Sequence, residues 1–311
     1  MRLLAIVGPT ASGKTVLGEH LARMFSGEIV TADSRTVYRG MDIGTAKVHG
    51  TAVELGAYAG AVLHNGVHHW LLNLVEPDTL FTVADWKKAA MRVIHGIADR
   101  EHLPIVVGGT GLYVQSVVDN LEPPPVAPNL PLRAELERQP LPDLMRLLQT
   151  YDADAAKRID CKNSRRVIRA LEVCMSSGRR FSLERRPSTA LYRTLHIGIS
   201  VPRAELYTRI DARVDAQVRA GLFAEAQKLV EKYGSTIPAL SAIGYREVIP
   251  YLEKKCSKAA AIERIKFDSH AYARRQLTWL RRDTRIMWIN RSKEAEELVR
   301  AHRGWRSESP Q

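Results

Sequence analysis

Near its start the chain carries the pattern G-x-x-x-x-G-K-T, from Gly8 to Thr15, which is typical of loops that bind phosphate groups. An apolar run, Leu3–Val7, precedes it and predicts a buried strand, and the apolar residues that follow recur at helical spacing. A strand, a glycine-rich loop and a helix in this order surround an anion with backbone N–H groups. The motif therefore predicts a site for a diphosphate or triphosphate. Its residues are Gly8, Pro9, Thr10, Ala11, Ser12, Gly13, Lys14 and Thr15.

Two side chains of this motif carry specific chemistry. Lys14 would place a positive charge against the terminal phosphate, and the Thr15 hydroxyl is the expected protein ligand of Mg²⁺. Because many unrelated nucleotide-binding proteins share the pattern, the motif alone leaves the identity of the ligand open.

Further along, the chain alternates between strand and helix patterns. Glu28–Asp33 and Leu103–Val107 have the length and apolar character of buried strands, and Thr82 is suited to cap a helix that continues to about Arg100. Residues 51–80 suggest a helix followed by a short strand. This alternation predicts an α/β fold, namely a P-loop NTPase-like parallel sheet flanked by helices.

Three segments of this sheet can meet at one site. Ligands of parallel sheets bind beyond the carboxyl ends of the strands, and Gly8, Asp33 and Gly108 all lie at such ends of predicted strands. A carboxylate beside a phosphate loop binds a metal ion or accepts a proton. The alternative for Asp33 is an ordinary turn or helix-cap residue.

A proline-rich stretch, Leu121–Pro128, interrupts this pattern. Residues 130–186 suggest helices only, and Leu195–Val201 returns as a strand. We therefore expect an inserted all-helical domain within the α/β core. The predicted domains are 1–124 for the first part of the core, 125–188 for the insertion and 189–311 for the mostly helical second part of the core.

The charge of the chain suggests a polyanionic partner. A formal net charge of +12 favours nucleic acid over an anionic membrane. Between residues 157 and 186, ten Lys or Arg residues stand against three Asp or Glu residues. Ser164 could cap a helix there, with Arg165 and Arg169 one turn apart on a face that can contact phosphates. A solvated helix face is the alternative.

Other features narrow the class of protein. The three cysteines form no C-x-x-C pair, and no apolar run reaches the length of a membrane span, so we expect a cytoplasmic protein. The cluster of His64, His68 and His69 lacks neighbouring carboxylates or cysteines in the sequence, which argues against a metal site. Arg209 and Arg213 form a second basic stripe on a predicted helix.

Taken in order, several segments resemble the bacterial tRNA dimethylallyltransferases, also called tRNA isopentenyltransferases. The stretch from Asp33 to Lys47 and the Gly-Tyr-Arg triplet are more specific than the phosphate loop. Family members often carry glutamine where this chain has Thr36, so one tRNA contact would differ here. The matching segments are Gly8–Thr15, Asp33–Lys47, Gly108–Tyr113, Arg166–Val173, Ala242–Arg246, Tyr272–Gln276 and Thr278–Trp279.

The resemblance implies transfer of a dimethylallyl group from dimethylallyl diphosphate to N6 of adenosine 37, beside the anticodon of tRNA. It assigns Asp33 as the base, with Lys14 and Mg²⁺ on Thr15 at the departing diphosphate. By the same resemblance, Thr110 and Arg209 would hold the substrate and the pyrophosphate. We expect a monomer. The implied contacts with the tRNA anticodon stem-loop are Asp33, Ser34, Arg35, Thr36, Thr110, Arg165, Arg166, Val167, Ile168, Arg169, Ser241, Ala242, Ile243, Gly244, Tyr245 and Arg246.

Two other functions use the same sequence features. A small-molecule kinase would need the phosphate loop for ATP, and its basic insertion would be incidental. A non-catalytic RNA-binding protein could use a nucleotide as a switch, in which case Asp33 would be dispensable. Consumption of ATP would favour the kinase, and unimpaired function of Asp33→Ala would favour the RNA-binding protein.

Overall fold

The structure is a computed structural model that describes residues 1–55, 58–122, 124–183 and 189–302. It contains two compact units. The first is built from Met1–Val118 together with the chain from Ala190 onward, and the second is Asp119–Thr189. The insertion expected at 125–188 lies within the second unit.

The strands of the first unit form one sheet. In the described residues they are β1 (Arg2–Val7), β2 (Gly27–Ala32), β3 (Thr51–Leu55), β4 (Tyr58–His64), β5 (Val67–Trp70), β6 (Leu103–Gly108), β7 (Arg193–Ile199) and β8 (Met287–Ile289). Their order across the sheet is β3-β4-β5-β2-β6-β1-β7-β8. The strands from β5 to β8 in this order run parallel, whereas β3 pairs antiparallel with β4, and β4 with β5. The predicted parallel sheet is confirmed.

The helix expected within residues 51–80 is wrong, because β3, β4 and β5 form an antiparallel meander there. Asn65 and Gly66 connect β4 to β5, with φ angles of 48° and 75°. An Asn-Gly pair with two left-handed residues is the preferred two-residue hairpin turn. This dipeptide was the sequence signal for the hairpin.

Helices of the first unit cover both faces of the sheet, and the second unit is built from helices of its own. In the described residues they are α1 (Lys14–Met24), α2 (Val83–Asp99), α3 (Gly111–Val118), α4 (Leu130–Glu137), α5 (Leu141–Tyr151), α6 (Ala153–Arg158), α7 (Ser164–Ser177), α8 (Arg203–Arg219), α9 (Leu222–Tyr233), α10 (Ile249–Leu252), α11 (Lys258–Leu280) and α12 (Ser292–Ala301). Thr82 caps α2 in a reciprocal arrangement with Asp85, as the sequence predicted. No helix in this described part of the chain is long and apolar enough to cross a membrane.

The central strand β1 is buried on both faces, which explains its continuous apolar run. Leu4 and Ile6 belong to the core under α1 and α12, and Leu3, Ala5 and Val7 belong to the larger core on the opposite face. A strand buried in this way fixes the position of the phosphate loop that follows it.

A buried carboxylate ties the start of β2 to its neighbours, at the end of the sheet opposite the phosphate loop. Glu28 is 1% exposed and accepts hydrogen bonds from Trp70 Nε1 at 2.6 Å and from Arg100 Nη2 at 2.9 Å. His102 Nδ1 lies 2.7 Å from the same carboxylate. Burial raises the pKa of Glu28, but these hydrogen bonds outweigh it and leave the pKa below its usual value.

The second unit contains helices α4 to α7 around its own apolar core. Glu172 is fully buried in this unit and accepts hydrogen bonds from Arg133, Arg169 and the backbone of Asn129. The cap of α7 is Asn163 rather than the predicted Ser164, because the Asn163 side chain accepts from the backbone N–H of Arg166. Both residue types suit a helix cap.

Candidate active site

The phosphate loop lies between the end of β1 at Val7 and the start of α1 at Lys14. Gly13 caps the helix with a φ of 92°, a conformation that favours glycine. At Gly8 a Cβ atom would lie 2.8 Å from Ser12 Oγ, so the tight turn also excludes larger residues there. Ser12 Oγ is buried without a hydrogen-bond partner among the described residues. This geometry is that of an anion-binding loop.

The side chain of Lys14 folds back onto the phosphate loop. Its ammonium group donates a hydrogen bond to the carbonyl of Pro9 at 2.6 Å. Burial and then the charge of Arg213 lower the pKa of Lys14 to about 7, while Asp33 acts in the opposite direction. A bound diphosphate would supply the missing negative charge and keep Lys14 protonated.

One pocket in the first unit brings together the predicted chemical groups. It lies at the carboxyl ends of β1, β2 and β6, and it continues along the face of β2 that carries Thr31 and Ile29. Its polar lining includes Thr10, Lys14, Thr15, Asp33, Thr36, Arg213, Tyr272 and Gln276. Polar groups therefore line its upper part, at the strand ends. Its lower part, along β2, is mostly apolar.

Asp33 follows β2 directly and accepts the backbone N–H of Arg35 at 2.8 Å. Beside it, Thr110 Oγ1 accepts the backbone N–H of Ser34 at 3.3 Å and hydrogen-bonds to the Tyr272 hydroxyl. Burial and the charge of Asp33 raise the pKa of Tyr272 to about 12, so its phenol stays protonated. The Asp33 carboxylate accepts the Arg35 N–H through Oδ1 and lines a pocket that Lys14, Arg213 and Tyr272 also line.

Arg213, not Arg209, is the arginine of this pocket. Arg213 donates to Thr10 Oγ1 and to the carbonyl of Thr45, both at 3.1 Å. Arg209 lies on the exposed side of α8, where it pairs with Glu205 one turn earlier. Arg209 shares a face of α8 with Arg213 but lies one turn earlier, so in this structure it lies outside the pocket that Arg213 lines.

The loop from Asp42 to Lys47 forms one wall of the pocket. The Glu225 carboxylate accepts three consecutive backbone N–H groups of this loop, from residues 42, 43 and 44. The Tyr245 hydroxyl donates to the same carboxylate at 2.6 Å. Lys47 is buried and donates to Asp42, to Asn73 and to the carbonyl of residue 38. The specific sequence of this segment therefore builds a rigid loop.

This packing corrects part of the predicted tRNA contact set. Tyr245 is fully buried and Ala242 is 4% exposed, so neither side chain lies on a surface that RNA could contact. Gly44 permits the approach, because a Cβ atom there would lie 2.4 Å from the Tyr245 ring. Tyr245 of the Gly-Tyr-Arg triplet thus serves the core, whereas Arg246 is exposed.

Other members of the predicted set around 241–246 are bound within the protein. Gly244 has a φ of 97° and donates its N–H to Glu247, while Ile243 packs partly against the core. Arg246 pairs with Glu247 and Asp268. Ser241 is exposed, so its side chain is accessible to a ligand.

Near Asp33, the predicted contacts differ in exposure. Arg35 reaches outward and donates to the carbonyl of Pro238 at 3.3 Å. Thr36 is 6% exposed, lines the pocket and lies 3.5 Å from the carbonyl of Asp33. Thr36, which is shorter than the glutamine that family members often carry at this position, therefore belongs to the pocket wall.

Helix α7 of the second unit divides its predicted contacts between core and surface. Val167 and Ile168 are buried, so their side chains are excluded as RNA contacts. Arg169 pairs with the buried Glu172, which restricts it to a structural ion pair. Arg165 and Arg166 are exposed on this helix and are the members of the set that can meet RNA phosphates.

Oxygen ligands for Mg²⁺ are available in the pocket. The Thr15 hydroxyl at the start of α1 and the Asp33 carboxylate both line it. Mg²⁺ is commonly held by one or two such groups together with substrate phosphates, so this donor set fits. Among the described residues, no group of three or more His, Cys, Asp or Glu side chains could hold a metal.

The histidine cluster differs from expectation in one respect. Glu19 Oε1 lies 3.4 Å from His69 Nε2 and 3.8 Å from His64 Nε2, so a carboxylate partner is present although none stands nearby in the sequence. Burial and the two neighbouring histidines lower the pKa of His69 to about 4. His69 is therefore a neutral residue at the apolar end of the pocket.

Comparison with known proteins identifies the family. A family model described as IPP transferase matches residues 36–283. A tRNA dimethylallyltransferase of Thermomicrobium roseum is 45% identical over 294 residues, covering 93% of this chain and 86% of that protein.

Solved structures agree with this match. The tRNA isopentenylpyrophosphate transferase of Bacillus halodurans is 36% identical, with a TM-score of 0.69 and coverage of 97% and 96% of the two chains. A eukaryotic dimethylallyltransferase, described as acting on tRNA, is 25% identical with a TM-score of 0.74, over 97% of this chain and 76% of that one. The chain belongs to the IPP transferase family.

Proposed function

We propose that this protein transfers the dimethylallyl group of dimethylallyl diphosphate to N6 of adenosine 37 in tRNA, with release of diphosphate. The observation that carries the proposal is one pocket that Lys14 and Arg213 line together with the Asp33 carboxylate. A diphosphate loop beside a proton acceptor is what an alkyl transfer to nitrogen requires. The comparisons support this substrate class, since the relatives are named for the same reaction.

The reaction breaks one bond and forms another. The bond between the allylic carbon and the diphosphate oxygen breaks, and its electron pair leaves with the diphosphate. The N6 nitrogen forms a bond to that carbon, and its proton passes to Asp33. Lys14, Arg213 and the loop amides stabilise the charge that develops on the leaving group, which is commonly the largest catalytic contribution.

Mg²⁺ would be held by Thr15 together with oxygens of the bound diphosphate, which leaves Asp33 to accept the proton. When bound, it would neutralise part of the diphosphate charge. The remaining contributions come from this chain: Thr110 and Tyr272 define the space beside Asp33, and the apolar lower part of the pocket around Ile29 suits a five-carbon group.

The target base must leave its stack to reach a pocket at the sheet edge, as in other enzymes that modify bases. Unstacking costs a few kcal/mol, which is lower in a loop than in a duplex. The anticodon loop satisfies this condition. Arg165 and Arg166 would contact phosphates of the same stem-loop.

Two expectations about the whole protein stay predictions, namely a cytoplasmic location and a monomeric state. The central proposal is tested by incubating unmodified tRNA with dimethylallyl diphosphate and analysing its nucleosides by mass spectrometry. The proposal predicts one adenosine that gains the mass of a C5H8 unit, located at position 37. Unchanged nucleosides, or phosphorylation when ATP is supplied, would contradict it.

A further inference from the structure

Gln276 on α11 hydrogen-bonds to two different loops of the pocket. Its side-chain Oε1 accepts the backbone N–H of Thr10 at 2.8 Å, and its Nε2 donates to the carbonyl of Gly109 at 2.9 Å. Thr10 belongs to the phosphate loop after β1, and Gly109 to the loop after β6. The side chain is 7% exposed and lines the pocket. Both of its polar atoms are therefore engaged within the site.

The local sequence is adapted to this contact. A Cβ atom at Gly109 would lie 2.3 Å from Gln276 Nε2 and 3.2 Å from the carbonyl of Gly8. A larger residue at 109 would therefore separate the side chain from the loop. The hydrogen bond to Gln276 therefore explains why residue 109 is glycine, although its backbone is not in a left-handed conformation.

The same face of α11 contacts the next two residues, of which the first ends that loop and the second begins α3. The Tyr272 hydroxyl hydrogen-bonds to Thr110, and Trp279 packs where a Cβ atom at Gly111 would lie 2.2 Å from its Cδ1. Positions 272, 276 and 279 follow the i, i+4, i+7 spacing of one helix face. Of these three contacts, the one made by Gln276 also reaches the phosphate loop.

We propose that Gln276 is a positioning residue that sets the distance between the diphosphate and the Asp33 carboxylate. This inference rests on the proposed prenyl transfer. Thr110 lies next to Gly109 and accepts the N–H of Ser34, so a shift of Gly109 is transmitted to the backbone beside Asp33. The diphosphate is fixed by the other loop. A displacement of about 1 Å between reacting groups can cost about 100-fold in rate.

The first test is Gln276→Met, which keeps the length of the side chain and removes both hydrogen bonds. The matched control is Gln227→Met on α9, an exposed glutamine that is hydrogen-bonded to Glu231. We expect kcat with tRNA and dimethylallyl diphosphate to fall about 10- to 100-fold in Gln276→Met. The Kd for tRNA without donor should stay within about two-fold of wild type, since the change affects alignment and not the RNA surface.

Gln276→Glu provides a readout that general destabilisation would not move. A protonated glutamate can donate to Gly109 and accept from Thr10, whereas an ionised one repels the Gly109 carbonyl. Burial beside a carbonyl raises the pKa of such a carboxyl group, and Lys14 and Arg213 oppose this shift. The ratio of Gln276→Glu activity to wild-type activity should therefore rise as the pH falls. Groups that do not interact with position 276 titrate alike in both proteins and cancel in the ratio. Lys14 does not cancel, so the ratio is measured at saturating donor, where the bound diphosphate keeps Lys14 protonated.

The outcomes separate the two proposals. The positioning role alone would be overturned by two results in a reaction that wild type and Gln227→Met carry out normally. The first is a kcat of Gln276→Met equal to that of wild type, and the second is a ratio of Gln276→Glu activity to wild-type activity that does not change with pH. A loss of kcat accompanied by an equal loss of tRNA affinity would also overturn it, since that pattern indicates general damage. No transfer by any of the four proteins would overturn the proposed function and the positioning role together.

Discussion

Replacing Arg213 by glutamine removes the cation that lines the pocket beside Lys14. Arg213 is partly buried and holds Thr10 Oγ1 and the Thr45 carbonyl at 3.1 Å. Its charge also lowers the pKa of Lys14. The substitution therefore weakens diphosphate binding and changes the titration of the remaining cation.

The expected magnitude follows from these contacts. A charge-assisted hydrogen bond contributes about 1.5–3 kcal/mol, and Arg213 would meet a polyanionic leaving group in a partly buried pocket. We take the loss of transition-state stabilisation as about 2–3 kcal/mol. This loss corresponds to a fall of about 30- to 150-fold in kcat/KM for dimethylallyl diphosphate. The loss should appear in both KM and kcat, because the diphosphate gains charge as it departs.

The assay is steady-state prenylation of tRNA at varied donor concentration, with Arg209→Gln as the matched control. Arg209 lies four residues earlier on α8 and pairs with the exposed Glu205, so its replacement should change kcat/KM by less than about three-fold. The pH above which donor KM rises should also increase in Arg213→Gln, since one cause of the low Lys14 pKa is removed. A larger defect in Arg209→Gln than in Arg213→Gln would refute the assignment.

Four further predictions follow from the same structure. Asp33→Asn should lower kcat by about 10²- to 10⁴-fold while the Kd for tRNA stays within about two-fold, and prenylation at near wild-type rate would exclude Asp33 as the base. Because the pKa of Lys14 is about 7 and its protonated form binds the anion, donor KM should rise as the pH increases through this value, as initial rates can measure. Joint replacement of Arg165 and Arg166 by alanine should reduce the slope of log Kd for tRNA against log salt by about 1.5, and an unchanged slope would place the RNA elsewhere. Glu28→Gln should lower the free energy of unfolding by about 2–3 kcal/mol in urea titrations, less than for a fully buried pair because its arginine partner reaches solvent.

The parts of the site that the sequence predicted are those fixed by local geometry. The phosphate loop follows from a pattern of eight residues, and the position of Asp33 follows from the rule that ligands bind beyond strand ends. Both depend on short stretches of chain, so periodicity and motif spacing were sufficient. The helix within 51–80 was wrong because the Asn65-Gly66 turn, which marks a hairpin, was missed.

The remaining parts depend on contacts between distant segments. The sequence offered Arg209 and Arg213 as one stripe, and only the packing of α8 separates the pocket residue from the surface residue. Tyr245 was taken for an RNA contact because its motif is specific, yet the specificity serves a hydrogen bond to Glu225, 20 residues earlier in the chain. Gln276 was part of a matched segment without an assigned role, because its partners are 266 and 167 residues away.

The central claim is that the phosphate loop of this protein receives a leaving group and transfers no phosphoryl group. The most direct measurement counts pyrophosphate released and prenylated adenosine formed in one reaction that contains tRNA, dimethylallyl diphosphate and Mg²⁺ but no ATP. The account predicts one pyrophosphate for each prenyl group attached. A requirement for ATP, or product formation with release of orthophosphate in place of pyrophosphate, would contradict it.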